Sequence, residues 1–243
     1  MIAELGHFAL ALAMVLAIAQ TFLTLIGAER RDARLMAAGP PLAIGQTFAI
    51  AASFGCLMWA YVINDTTVLN VVQNSHSAKP LLYKITGTWG NHEGSLILWV
   101  MILALCGLAV SAFGRDLPST LRARVLGVLG LISVGFLAFI IKTSNPFVLI
   151  TSNPFERVWP PPPDGQGLNP LLQDIGLAIH PPLLYLGYVG YAVTFAFAIA
   201  ALIEGRVDAA WGRWVRPWSL AAWSFLTMGI AIGSWWAYYE LGW

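Results

Sequence analysis

The stretch "AIHPPLLYLGYVGYAV", Ala178 to Val193, sets a histidine directly before two prolines and then runs on to Ile203 without an Asp, Glu, Lys or Arg. An uncharged helical run of about twenty residues matches the hydrocarbon thickness of a bilayer. The run is therefore expected to cross a membrane. The whole chain agrees, with 58% hydrophobic and 10% charged residues. Soluble domains carry roughly a quarter charged residues, so a soluble core is excluded.

Working outward, six spans are predicted: Leu5 to Ala28, Pro41 to Ile63, Ser95 to Phe113, Val125 to Ile141, Pro181 to Ile203 and Trp218 to Tyr239. The expected fold class is all-α, a polytopic integral membrane helical bundle with two long extracytoplasmic loops. None of the six runs contains an internal charge. One such charge near the bilayer centre costs roughly 2.5–3.5 kcal/mol, and its absence leaves no ion relay or charged-substrate path in these helices. That counts against a transporter.

Arginine sets the expected orientation. The short connections Glu29 to Arg34, Gly114 to Arg124 and Glu204 to Arg216 hold Arg30, Arg31, Arg34, Arg115, Arg122, Arg124, Arg206, Arg213 and Arg216. The opposite side holds only Lys79, Lys84, Lys142 and Arg157. The arginine-rich loops are thus expected in the cytoplasm and both chain ends outside. Ala17-Ile18-Ala19 resembles a signal-peptidase site, but Glu4 and His7 precede the apolar run where a signal peptide is basic, which predicts an uncleaved anchor.

The two long connections, Asn64 to Gly94 and Lys142 to Ile179, face outside and exceed what a link needs. The second contains "TSNPFVLITSNPF", Thr143 to Phe155, whose Asn-Pro turns predict a chain skimming the interface. "WPPPPDGQG" follows, in which Pro160 to Pro163 predict a stiff polyproline spacer. Asn169 and Pro170 are then placed to cap and begin a short helix, Leu171 to Ile179.

Pro181 disfavours α geometry at His180, so the histidine is expected at a joint with the fifth span starting at Pro181-Pro182. A helix starting there turns its positive dipole end towards the ring and favours a neutral imidazole able to ligate a metal. An interfacial histidine satisfied by water or a carbonyl fits the local sequence as well. His7, His76 in "QNSHSAKP" and His92 in "TWGNHEGSLILWV" also lie near span ends. His7 and His76 are expected to be hydrated. His92-Glu93 starts like a zinc-protease helix, but Leu96 stands where the second histidine is needed.

Many of the eleven tryptophans fit an interfacial belt. Trp211, Trp214 and Trp218 predict a cytoplasmic interfacial helix. In "SWWAYYELGW", Trp235, Trp236, Tyr238, Tyr239 and Trp243 are expected to crowd on the outer face with His180 and Trp89. Flat rings beside an imidazole suit a flat iron macrocycle. Cys56 and Cys106 fall inside spans without a Cys-x-x-Cys, which excludes a thiol oxidoreductase or a c-type cytochrome.

"TWGNHEGSLILWV", "TSNPF", "DGQGLNPLLQDIGLAIHPPLLYLGY" and "GSWWAYYELGW" together resemble the CcmF family, the membrane haem lyase subunit of bacterial cytochrome c maturation, nearly end to end. The resemblance implies that this chain is the N-terminal part of a longer inner-membrane protein, with 236–243 beginning the external Trp-rich haem-handling (WWD) segment. It implies His180 as a haem axial ligand, Trp236 and Trp243 as a haem platform, Pro181 and Pro182 as positioning residues, and Trp89, His92 and Glu93 as site-shaping residues without iron ligation. No catalytic nucleophile and no metal other than haem iron are implied. The implied reaction joins haem vinyl groups to an apocytochrome Cys-x-x-Cys-His motif, in a protein active only at full length with partners. Those partners would be the haem chaperone CcmE, a CcmH-type thiol-reducing subunit and apocytochrome c, within membrane lipid and without nucleic acid. The ligands of a structural b-type haem would lie beyond Trp243. A transporter or non-catalytic scaffold, such as a haem exporter, is the alternative.

Overall fold

The computed structural model describes residues 1–149 and 160–242. The second TSNPF copy, Arg157, Trp159 and Trp243 lie outside the described residues, so the interface-skimming segment is described only as far as Leu149. The described residues form helices α1 (Ile2–Arg30), α2 (Ala33–Ala37), α3 (Gly39–Val62), α4 (Leu69–Asn74), α5 (Leu81–Gly87), α6 (His92–Phe113), α7 (Ser119–Thr143), α8 (Ile175–Tyr188), α9 (Tyr191–Glu204) and α10 (Ala209–Leu241). Six helical segments are long and apolar enough to cross a membrane: α1, α2 with α3, α6, α7, α8 with α9, and α10. The chain is a multi-pass membrane protein with an all-α fold.

Each apolar run recurs as helix, the fifth divided between α8 and α9, and polar caps outside the runs start α6, α8 and α10 earlier than hydropathy does. Asn91 accepts from the Gly94 amide at 2.9 Å and starts α6 at His92. Asp208 accepts from the Trp211 amide at 2.9 Å and starts α10, so the Trp211–Trp218 face belongs to the sixth span and is not a separate interfacial helix. Asn169 does act as a cap, accepting from the Leu171 amide at 3.1 Å, but only a 3₁₀ turn, Pro170–Leu172, follows. The expected helix Leu171 to Ile179 is corrected accordingly. Asp174 accepts from the Gly176 amide at 2.6 Å and opens α8.

α8 contains both Pro181 and Pro182, so the expected break at His180 is absent. The fifth span instead interrupts at Val189-Gly190, between α8 and α9. Tertiary packing against α10 outweighs the local proline preference at His180.

Between membrane helices without a hydrophobic driving force, close backbone approach supplies the packing energy. A Cβ at Gly127 would lie 2.6 Å from Thr24 Oγ1, and one at Gly130 2.7 Å from Thr21 Oγ1, which lets α7 seat on α1. At the opposite end from the arginine-rich turns, the two long connections join one another. Val68 and Leu149 form an antiparallel bridge, and the Leu69 amide donates to Val148 O at 3.0 Å. Asp164 is the centre of a second clasp: it accepts from Asn64 Nδ2 and the Ser77 amide, each at 2.9 Å, and from Ser77 Oγ. The Gln166 amide donates to Val72 O at 2.7 Å and the Gly167 amide to Ser75 O at 3.0 Å. The segment after the prolines is thereby laid on the first loop.

Candidate functional site

α8 and α10 pack antiparallel through four rungs, and in every rung a glycine faces a larger residue. Gly176 faces Trp236, His180 faces Gly233, Leu184 faces Gly229 and Gly187 faces Leu226. A Cβ at Gly233 would lie 2.6 Å from His180 Nδ1, and one at Gly229 would lie 2.6 Å from Leu184 Cα. Gly229 and Gly233 form a small-x-x-x-small step of the kind that brings membrane helices together.

This close approach fixes the imidazole. His180 Nδ1 sits 2.8 Å from Gly229 O. A carbonyl only accepts, so Nδ1 donates and carries a proton; in the neutral imidazole this leaves the lone pair on Nε2. The ligating nitrogen of a metal-bound histidine has this arrangement, with its second nitrogen donating to a carbonyl. The helix-dipole expectation is corrected: α8 begins at Ile175, so His180 lies in its second turn, where the terminal field has faded. The Gly229 carbonyl, not the helix end, selects the tautomer.

Trp236 stands beside the ring, centroids 6.2 Å apart and planes inclined 30°, with its indole over Gly176. Its Nε1 is buried and has no partner among the described residues. Trp235 and Tyr239 stack on each other at 5.8 Å and stay exposed instead of joining Trp236. The expected crowding of all these rings is therefore corrected, and Trp243 lies outside the described residues.

Trp89 reaches the site from the turn between α5 and α6, where its Nε1 donates to Leu177 O at 3.0 Å. His92 does not join it: its Nε2 lies 3.2 Å from Ser144 Oγ and its ring meets the edge of Phe139, both near the end of α7. Glu93 Oε2 accepts from Asn70 Nδ2 at 3.2 Å. Asn70 also donates to Asn91 Oδ1 at 3.0 Å, and Asn91 Nδ2 donates to Tyr61 Oη at 2.9 Å. A partly buried polar network thus anchors the mouth of α6. Asn91, Gly229 and Gly233 were missed in the sequence, although an asparagine four residues before the apolar run at Ser95 and the "GIAIG" spacing both signal them.

The other histidines have protein partners as well, with His7 and His76 still partly exposed. His7 Nδ1 lies 2.9 Å from Asn145 Nδ2. His76 Nδ1 accepts from the Ala78 amide at 3.1 Å, and its Nε2 is 3.5 Å from Asp164. Hydrogen bonds from Ser77, Gly165 and Asn64 hold the Asp164 carboxyl well below the usual carboxylate range. The described residues contain no cluster of three or more metal-ligating side chains. The arrangement at His180 offers a single nitrogen ligand, which fits one axial position of a haem iron.

Comparison with known proteins gives the family. A profile of the cytochrome C assembly protein family matches residues 89–243. The cytochrome c-type biogenesis protein CycK of Bradyrhizobium diazoefficiens is 60% identical over 243 residues, covering 100% of this chain and 36% of the relative. The cytochrome c-type biogenesis protein CcmF of Pseudomonas aeruginosa is 57% identical over 244 residues, again 100% of this chain and 36% of the relative. A solved structure of a cytochrome c haem lyase, CcmF, superposes with a TM-score of 0.82 at 29% identity, over 98% of this chain and 36% of that one. The chain thus spans about a third of the length of these relatives. With its matched profile, shared fold and all-helical membrane architecture, this chain belongs to the cytochrome c assembly protein family and is of the CcmF type.

Proposed function

We propose that this chain forms part of a haem lyase in which His180 holds substrate haem at the outer membrane face through Nε2. The observation that carries this reading is the His180 Nδ1–Gly229 O hydrogen bond, which leaves the second nitrogen free to ligate. Trp236 provides an aromatic wall beside the ring, and Trp243 is proposed to extend it. Pro181 and Pro182 position the helix that carries His180. Trp89 and Glu93 shape the outer end through their hydrogen bonds, and His92 shapes the neighbouring mouth of α6 without ligating iron.

Haem, held by iron ligation, presents its vinyl groups to the reduced cysteines of an apocytochrome Cys-x-x-Cys-His motif. Each thiol S–H adds across one vinyl C=C: sulfur bonds one carbon, hydrogen ends on the other, and nothing leaves. No nucleophile from the chain is needed, so its residues contribute ligation, orientation and partner access. CcmE is the proposed haem donor and a CcmH-type subunit the source of reduced cysteines. The arginine-rich turns are assigned to the cytoplasm, which puts His180 outside the inner membrane. The second axial ligand and the ligands of a structural b-type haem are assigned to parts of the family protein that this chain does not span.

The test is a haem-to-protein ratio on the purified full-length protein. His180→Ala is expected to lose one haem equivalent at unchanged membrane abundance. Full retention would return His180 to an interfacial role.

A further inference from the structure

We infer that Trp89 is a positioning residue for His180, acting through the backbone carbonyl that Pro181 leaves without a donor. The inference rests on the proposed role of His180 and extends it to a residue 88 positions away from the carbonyl it engages. In an uninterrupted helix the Leu177 carbonyl accepts from the amide of residue 181. Proline has no such amide, and Leu177 is buried, only 5% exposed. A buried carbonyl without a donor is costly and water cannot reach it freely. The indole Nε1–H of Trp89, 3.0 Å from Leu177 O, replaces the missing donor.

The donor is itself held firmly. The Trp89 ring stacks on Phe54, centroids 6.4 Å apart, and its amide closes a turn onto Thr86 O at 3.2 Å. The next turn begins at Asn91, whose side chain caps α6 and joins Tyr61 and Asn70. Gly90 adds a close approach: a Cβ there would lie 3.3 Å from Leu177 Cδ2. Leu177 and His180 are three residues apart and share one face of α8. The α8 turn bearing the imidazole is thereby fixed twice, by Trp89 at the Leu177 carbonyl and by Gly229 at the ring. Pro181 thus frees a carbonyl for a distant side chain and does not break the helix.

The relation between Trp89 and Pro181 gives a test that ordinary packing does not share. In the full-length protein, cytochrome c maturation is measured at matched membrane abundance for Trp89→Phe, Pro181→Ala and the double variant. Trp89→Phe keeps an aromatic ring and removes the donor, and is expected to lower maturation on the order of tenfold. Pro181→Ala restores an intrahelical amide, so adding Trp89→Phe to it is expected to cost less than about twofold. Free imidazole, which ligates iron without needing the position of His180, is expected to recover part of the Trp89→Phe loss. Equal losses in both backgrounds, no loss in either, or no recovery with imidazole would overturn the inference. If Trp89→Phe alone is poorly inserted, the double variant against Pro181→Ala still decides it. Full maturation in His180→Ala would instead defeat the proposed role of His180, so the two failures are distinct.

Discussion

At the scale of single residues, the two prolines after His180 set its place in the chain, while its surroundings come from another helix. Proline rules act on adjacent backbone, whereas the ring is fixed by Gly229, 49 residues away. A glycine opposite a histidine carries no local signal, because its value lies in the missing Cβ on a different helix. Gly233 gives the sharpest residue-level prediction. In Gly233→Ala the new methyl would lie 2.6 Å from His180 Nδ1 and force ring and α10 apart. Overpacking of this kind costs about 1–3 kcal/mol, and it also breaks the contact to Gly229 O. The variant is expected to lower the melting temperature of the full-length protein and to lose maturation more completely than Gly212→Ala, whose added Cβ meets nothing within 4 Å. Thermal unfolding and a maturation assay of the pair check this.

Among the elements, the spans were legible because uncharged run length is a direct physical requirement of the bilayer, but their ends were not. Asn91, Asp174 and Asp208 cap helices from outside the apolar runs, so hydropathy stops short of the hydrogen-bonded start. The clasp that lays the Pro-rich segment on the first loop was equally hidden, since Asn64 and Asp164 are 100 residues apart. Its carboxylate predicts a pH dependence of definite sign. The folded Asp164 titrates below its unfolded value, so it stabilises the clasp above the unfolded pKa of about 3.9. That stabilisation fades as pH falls through the folded value. Asp164→Asn is expected to speed amide exchange at Gln166 and Gly167 severalfold at pH 7. The gap between wild type and variant is expected to close only below about pH 4. Exchange measured by mass spectrometry across that range checks both the effect and its direction; a gap that closes near neutral pH would be inconsistent with this carboxylate.

For the whole molecule, the proposed orientation rests on arginine on the short turns, where Arg124 also pairs with Glu204 at 2.8 Å and Glu29 at 3.5 Å and so joins three helices. Single cysteines at 76 and 164 are expected to react with an impermeant thiol reagent added from outside, and one at 122 to remain unlabelled until the membrane is opened. Labelling at 122 from outside would invert the assignment and move His180 to the wrong face for haem attachment. The central claim, that His180 supplies iron ligation outside the membrane, is tested most directly by cytochrome c maturation in cells whose full-length protein carries His180→Ala, with and without added imidazole. The account predicts loss of maturation at normal membrane abundance and partial recovery when imidazole occupies the vacated position. Full maturation by the alanine variant without imidazole would contradict it.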